Sequence, residues 1–252
     1  MRIRSLVMTC AIIALGAGAL YARKKPRTTW LDKPFTQWNK GQVVGLFNHS
    51  PWALTRAYRG QTTGEHGNFN PGVTGTSGNA TLGVDTVTYS FTARLFSSEP
   101  IREAYVRMLQ IMNHYDTMPP ARQQIFDAKV DGLLHADVSQ EVVVTLFYGT
   151  NDPQSARDLN QWFGTQTADT LRQNAYLYTS SAGQVQLIKY LPAQGGGGLG
   201  ARFIYPRMLN GKPILQPGDA RMRFQLYVPQ VGQTIYLDFK PSKMVYKGQL
   251  SY

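Results

Sequence analysis

Residues 86–112 read TVTYSFTARLFSSEPIREAYVRMLQIM. In the first ten residues apolar and polar side chains alternate, which predicts a β-strand with one dry and one wet face. Ser97 and Ser98 then offer cap oxygens, Glu99 suits the positive end of a helix dipole, and Pro100 fits a first turn. We therefore expect a strand over 86–95 and a helix that begins near Pro100.

The predicted helix carries a single apolar stripe at helical spacing. Its members are Ile101, Ala104, Tyr105, Met108, Leu109 and Met112. We expect this stripe to lie on the dry face of the preceding strand and to nucleate the core. Burial of five such side chains stabilises by about 10 kcal/mol before entropy is subtracted.

The composition excludes several kinds of chemistry. Only 16% of the 252 residues are charged, against about 25% in an ordinary domain. The one cysteine, Cys10, lies in the N-terminal apolar run. The rest of the chain therefore has no thiol for catalysis or for a cysteine zinc site, and we predict no cofactor and no metal.

The N-terminus resembles a secretory signal peptide, since Arg2 and Arg4 precede an apolar run that ends in small residues. We expect cleavage after Ala22, with cleavage after Ala19 as an alternative. The basic segment at 23–35 follows directly. An uncleaved membrane anchor is a further alternative, although about 15 apolar residues is short for a span of roughly 20. The predicted location is periplasmic or secreted, in a bacterium.

The mature chain would be basic. Without residues 1–22 it keeps 24 basic and 15 acidic side chains, a net charge of +9. Such a protein attracts anionic partners at long range, so other envelope proteins or anionic envelope polymers are the expected partners. Apart from the basic segment, Lys and Arg are spread singly, and no stripe interleaves them with aromatic residues. We therefore predict no nucleic-acid binding.

Further patterns predict helices over 36–49 (with Thr36 as N-cap), 121–134 and from Asp152-Pro153 onward. Strand patterns occupy 52–58, 141–148, 175–179, 184–191, 201–205, 220–228, 233–239 and 243–250. We expect an α+β fold with two to four helices and an antiparallel sheet or small β-sandwich, in one domain over 36–252. Whether the C-terminal strands share the sheet of the 86–95 strand is left open.

Residues 60–83 contain seven glycines and hardly any large apolar residue. Such a segment cannot offset its ordering entropy by burial, so we predict a flexible loop. We interpret it as a tolerated insertion, and a binding role through His66, Asn68 and Phe69 is the alternative.

Three segments resemble a group of uncharacterised exported bacterial proteins. The first runs from Lys33-Pro34-Phe35 through Trp38 to Asn48-His49-Ser50-Pro51-Trp52-Ala53, the second is Ser97-Ser98-Glu99-Pro100-Ile101-Arg102-Glu103-Ala104, and the third runs from Phe239 through Lys243-Met244-Val245-Tyr246-Lys247-Gly248-Gln249-Leu250. The resemblance implies a shared fold and brings no assigned activity or site.

Gly195, Gly197 and Gly200 satisfy the spacing of a dinucleotide-binding loop. That loop must open a helix, whereas 201–205 has the pattern of a strand. No partner motifs of a kinase accompany the glycines. We therefore interpret them as a mobile loop.

The four histidines, His49, His66, His114 and His135, form no metal-binding pair in sequence. His114 with Asp116 and His135 with Asp137 lie where helices are predicted to end, where a histidine commonly satisfies free carbonyls. No G-x-S-x-G elbow occurs. A glycosidase carboxylate pair would be visible only in the folded chain. No residue is assigned as catalytic, cofactor-binding or metal-binding.

Four tyrosines on predicted strands, Tyr227, Tyr236, Tyr246 and Tyr252, are candidates to stack on a sugar or a peptide. Strand propensity explains them equally well. We interpret the chain as an exported, non-catalytic binding or structural protein of the envelope. The alternative is a secreted hydrolase of a wall polymer or another extracellular substrate.

Overall fold

The structure, a computed structural model, describes residues 29–60, 86–193 and 198–252. The predicted signal peptide at 1–22 lies outside the described residues. So does the predicted loop at 60–83 apart from Gly60.

The longer strands belong to two antiparallel sheets, and two-residue strands form two small hairpins. In chain order the strands are β1 (Ala53–Arg59), β2 (Thr88–Leu95), β3 (Glu141–Thr150), β4 (Ala175–Thr179), β5 (Gly183–Gln186), β6 (Lys189–Leu191), β7 (Ala201–Pro206), β8 (Met208–Leu209), β9 (Lys212–Pro213), β10 (Met222–Val228), β11 (Gln233–Phe239), β12 (Val245–Tyr246) and β13 (Gln249–Leu250). The first sheet has the order β1-β2-β3-β7-β6, and the second has the order β11-β10-β4-β5.

The two sheets pack face to face. Phe203 of β7 and Phe224 of β10 meet edge to face with ring centroids 5.1 Å apart, and the inward side chains of both sheets belong to one hydrophobic core. The predicted α+β fold with antiparallel sheets is confirmed. The open question is settled as well, because β7 joins the sheet of the 86–95 strand while β10 and β11 form the opposite layer.

The strand predicted over 86–95 is confirmed as β2, which pairs with β1 and β3. Tyr89, Phe91, Ala93 and Leu95 are buried, as the alternation predicts. The run predicted over 184–191 is divided: β5 pairs in the second sheet and β6 in the first. This short stretch therefore links the two layers.

Five α-helices lie within the described residues. They are α1 (Lys40–Asn48), α2 (Glu99–Met112), α3 (Pro120–Leu134), α4 (Pro153–Thr165) and the four-residue α5 (Ala168–Leu171). The N-cap of α1 is Asn39, in a capping box with Gln42, and not Thr36 as predicted. Asp152 caps α4 as predicted, accepting from the Ser155 amide at 2.7 Å. No helix in the described part of the chain is long and apolar enough to cross a bilayer.

Helix α2 begins at Glu99, close to the predicted start, but it packs chiefly against α1 and α3 and not on the dry face of β2. That face is covered by the second sheet. Ile101 and Ala104 are buried as predicted, whereas Met112 is 68% exposed and Arg102, Glu103 and Arg107 are buried. The apolar stripe therefore predicted only part of the buried side of α2, because this helix also buries polar side chains that bind neighbouring elements.

The segment predicted as one strand over 243–250 is instead a hairpin of β12 and β13. Lys247 and Gly248 both have positive φ, 49° and 83°, which is the geometry of a tight hairpin turn. The hairpin docks on α2: Tyr246 donates to Glu103 Oε2 at 2.5 Å. Burial and this carboxylate raise the pKa of Tyr246 well above its usual value, so the hydroxyl remains a donor.

We expect Phe224→Ala to lower the free energy of unfolding by about 3–5 kcal/mol, because it opens a cavity between the sheets. Urea unfolding of the full chain measures this. Ile125→Ala on α3 removes a side chain that is 59% exposed and should change stability by less than about 0.5 kcal/mol. Equal effects of the two substitutions would contradict the sandwich packing.

We expect Tyr246→Phe to cost about 1–3 kcal/mol, because it removes the donor to Glu103 Oε2 and leaves this buried carboxylate with Lys247 alone, on Oε1. In a double-mutant cycle with Glu103→Gln, the combined loss should be smaller than the two separate losses added together. Val245→Ala on the exposed side of the same hairpin is the control. Strict additivity would show that the Tyr246–Glu103 bond does not hold the hairpin.

Candidate binding surface

The outer face of the second sheet carries exposed aromatic rings. Alternation turns the apolar residues of β4, β10 and β11 into the core and the intervening residues outward. Tyr178, Tyr227 and Tyr236 are 41%, 40% and 44% exposed. We call this surface the tyrosine face; its residues are Tyr176, Tyr178, Gln184, Gln186, Arg223, Gln225, Tyr227, Thr234, Tyr236 and Asp238.

The register sets the arrangement of the rings. Gln225 of β10 is paired with Tyr236 on one side and with Tyr176 on the other. These two tyrosines are therefore separated by two strand spacings, roughly 10 Å. Arg223 is likewise flanked by Asp238 and Tyr178. The face thus alternates rings with amide and guanidinium groups.

Tyr236 is held in place from two directions. The guanidinium carbon of Arg223 lies 4.8 Å from the centroid of its ring, and its backbone N–H donates to the Tyr58 hydroxyl at 2.9 Å. Arg223 is itself fixed by two bonds to Asp238, of 2.7 and 2.9 Å. The Tyr58 bond fixes the backbone and the Arg223 contact restricts the ring, so the ring loses less conformational entropy when a ligand stacks on it.

The pKa of the Asp238 carboxyl is held below its usual value. The hydrogen bonds from Arg223 lower its pKa most, and the charges of Arg223, Arg221 and Arg56 lower it further, against a smaller opposite effect of burial. The charges of three arginines thus act on a single carboxylate, so positive charge exceeds negative charge at this end of the tyrosine face.

A cleft of about 430 Å³ adjoins that end of the face. It lies where α1 ends, β1 begins and the chain leaves β11. We call it the basic cleft; it is lined by Asn48, His49, Ser50, Pro51, Ala53, Leu54, Thr55, Asp238, Lys240 and Lys243. Asp238 belongs to both the cleft and the tyrosine face, so the two surfaces are continuous.

The predicted tyrosines divide into two pairs. Tyr227 and Tyr236 lie exposed on the tyrosine face, whereas the predictions for Tyr246 and Tyr252 are wrong, because both are buried, 4% and 8% exposed. Tyr246 packs edge to face on Trp52. The sequence reasoning missed Tyr176 and Tyr178, although the alternation in 175–179 places them opposite buried Ala175 and Leu177.

The described histidines do not converge. His49 lines the basic cleft, and His114 follows α2 with a left-handed backbone. His135 binds Asp131 at 2.8 Å and not Asp137, on an exposed surface, while Asp116 pairs with Arg107. His66 lies outside the described residues. Among the residues that are described, no three His, Cys, Asp or Glu side chains are grouped to hold a metal.

One carboxylate pair does come together, Glu99 with Glu103 on α2. The Lys247 ammonium lies 2.7 Å from Glu99 Oε1 and 2.9 Å from Glu103 Oε1. It therefore fills the space that a glycosidic bond would need between two catalytic acids. We interpret this cluster as a clamp for the β12–β13 hairpin.

A second polar cavity, of about 300 Å³, lies beside this hairpin. Arg102 donates to the Ser97 carbonyl, and Arg207 donates to the Val138 carbonyl at 2.8 Å and to the main-chain oxygen of Tyr252. Burial lowers the pKa of both arginines. Their guanidinium groups hold loops and the last residues together, which is a structural role.

The glycine motif precedes a strand, as the sequence predicts. Gly195 and Gly197 lie outside the described residues, and Gly200 leads directly into β7. A side chain on Gly200 would come within 2.6 Å of the Leu146 carbonyl. Gly200 therefore allows its backbone to lie close to that of Leu146 in β3.

The three segments that carry the resemblance meet in the structure. Trp52 of the first donates to the Ser251 carbonyl at 2.8 Å and packs on Tyr246 of the third, and Tyr246 binds Glu103 of the second. The first and third also line the basic cleft through His49 and Lys243. They form one packing unit that borders the cleft.

Comparison with known proteins gives no further guide: no family model, no curated protein and no solved structure matches this chain.

Proposed function

We propose that this chain is an exported, non-catalytic protein of the bacterial envelope that binds a polysaccharide on its tyrosine face. The observation that carries the proposal is the set of three exposed tyrosines on one open sheet face, Tyr178, Tyr227 and Tyr236. Exposed rings at fixed positions on a rigid sheet are suited to stack on a ligand.

The chemistry of the face favours a sugar over a peptide. No aliphatic side chain belongs to it; besides the three exposed rings its members are Tyr176, the amides Gln184, Gln186 and Gln225, the hydroxyl of Thr234, and the Arg223–Asp238 ion pair. A protein partner usually contributes and requires apolar anchors at the centre of the interface. Ring faces combined with amide and hydroxyl groups match the C–H faces and hydroxyls of a polysaccharide.

Export and an anionic environment complete the proposal. The signal-like N-terminus supports secretion or a periplasmic location. The net charge of +9 that remains without residues 1–22 favours association with acidic envelope material at long range. A structural role in the envelope follows if the bound polysaccharide belongs to the cell's own wall or surface layer.

We expect Tyr178→Ala and Tyr236→Ala each to weaken binding of a soluble polysaccharide from the host envelope about three- to tenfold, since each removes one stacking ring. Isothermal titration or affinity electrophoresis of the full chain measures the change. Val245→Ala removes an equally exposed apolar side chain from the β12–β13 hairpin and should leave affinity unchanged.

Unaltered affinity in both tyrosine variants would contradict the tyrosine face as the binding site. Chain shortening or release of sugar during the same incubation, abolished by a single carboxylate substitution, would favour the hydrolase alternative.

We also expect expression of the full chain in a bacterial host to yield periplasmic or secreted protein that lacks residues 1–22. Cell fractionation with mass spectrometry of the N-terminus measures this. An intact chain retained in the cytoplasm would contradict export.

A further inference from the structure

We infer that the basic cleft is a subsite for an acidic group of the same polymer, so that the ligand of the tyrosine face is a polyanionic polysaccharide. The inference rests on the proposed function for the polymer and adds the position and charge of a second contact. Its basis is the charge of Lys240 and Lys243, which have no carboxylate partner among the described residues, in a cavity continuous with the rings.

The two lysines have no carboxylate partner within the described residues. Both are exposed, and the one carboxylate in the lining, Asp238, is already engaged in two hydrogen bonds by Arg223. The cleft therefore presents two ammonium groups and one carboxylate whose charge is balanced by Arg223. An anion that enters would meet ammonium groups without displacing an existing ion pair.

The end of α1 does not oppose an anion there. A helix C-terminus carries partial negative charge on its free carbonyls, but the Phe47 carbonyl accepts from Arg94 Nε at 2.8 Å and the Asn48 carbonyl accepts from the Thr55 hydroxyl at 3.4 Å. The hydroxyl of Ser50 is likewise turned to the Leu46 carbonyl at 2.7 Å. These bonds satisfy the helix end and leave the lysines as the dominant charges.

The distance between the rings and the lysines suits a polymer. Tyr236 and Lys240 are four residues apart along β11 and its continuation, which corresponds to roughly 13 Å of extended chain. Asp238 lies between them, on the same face. A single extended chain of sugars can therefore stack on Tyr236 and place an acidic substituent over the cleft, whereas a small anion would use the cleft alone.

The two lysines select the charge of the ligand but not the exact geometry of its acidic group. An ammonium is a compact point charge with freely rotating donors, without the planar fork by which arginine selects carboxylate geometry. Carboxylate and phosphate substituents both satisfy it. The ligand class is thus an acidic polysaccharide, with uronate groups or phosphate diesters as the two sources of charge.

The test compares one polymer in charged and neutral form. We expect the full chain to bind polygalacturonate or a glycan linked by phosphate diesters about tenfold more tightly than the carboxyl-reduced, neutral polygalacturonate. Lys240→Gln combined with Lys243→Gln should remove this preference and leave affinity for the neutral polymer unchanged. The preference should also weaken at about 0.5 M salt, where the Debye screening length is only a few ångström.

Matched controls separate the cleft from general charge. Lys129→Gln with Lys189→Gln removes the same charge from α3 and β6, and the preference should persist. Loss of preference in this control, or equal affinity of the unaltered chain for charged and neutral polymers, would overturn the subsite. Lysine-dependent binding of one charged polymer and not the other supports it and identifies the group as uronate or phosphate.

The tyrosine variants distinguish the two proposals. If Tyr178→Ala and Tyr236→Ala weaken charged and neutral polymers alike, both proposals stand. If binding depends on the lysines but not on the tyrosines, the tyrosine face is refuted and the polymer inference fails with it. Tighter lysine-dependent binding to vesicles of anionic lipid, or to an acidic protein, would overturn the polysaccharide as the ligand.

Discussion

The contact between Phe203 and Phe224 is the constraint on which the rest of the structure depends. It joins the two sheets, and once their inner faces are sealed against each other, the period of two leaves every second residue of β4, β10 and β11 on the outside. The described helices lie with the first sheet: α2 packs against α1 and α3, α1 packs against β1, and α4 packs against β3. The open face that carries the tyrosines follows from this arrangement.

Charge is distributed differently around the β12–β13 hairpin and in the basic cleft. Around α2 and the β12–β13 hairpin, Glu99 and Glu103 share Lys247, and Arg107 binds Asp116, so these cations serve packing. At the end of β11, Arg223 already saturates Asp238, and Lys240 and Lys243 are left without a partner among the described side chains. Part of the excess positive charge of this basic chain thus lies where the tyrosine face ends.

Local sequence patterns predicted strands and helix starts well where the burial of a residue depends on its nearby chain alone. The alternation of 86–95, the Asp152 cap and the strand after Gly200 are confirmed, because each depends on the period of the chain or on a cap within three residues. Helix α2 was predicted less well: Met112 is exposed and Arg107 is buried, since three neighbouring elements, and not one sheet, decide which sides of that helix are covered.

The sequence by itself determined the fold class, most of the strands and helices, the basic charge and two of the exposed tyrosines. The tertiary structure decided that 243–250 turns back as a hairpin, that Tyr246 and Tyr252 are buried, and that the three resembling segments meet. It also brought Asp238, Lys240 and His49 to one cleft. The physical reason is that side-chain periodicity is local, whereas a surface is assembled from strands and loops whose neighbours are set by the packing of the two sheets.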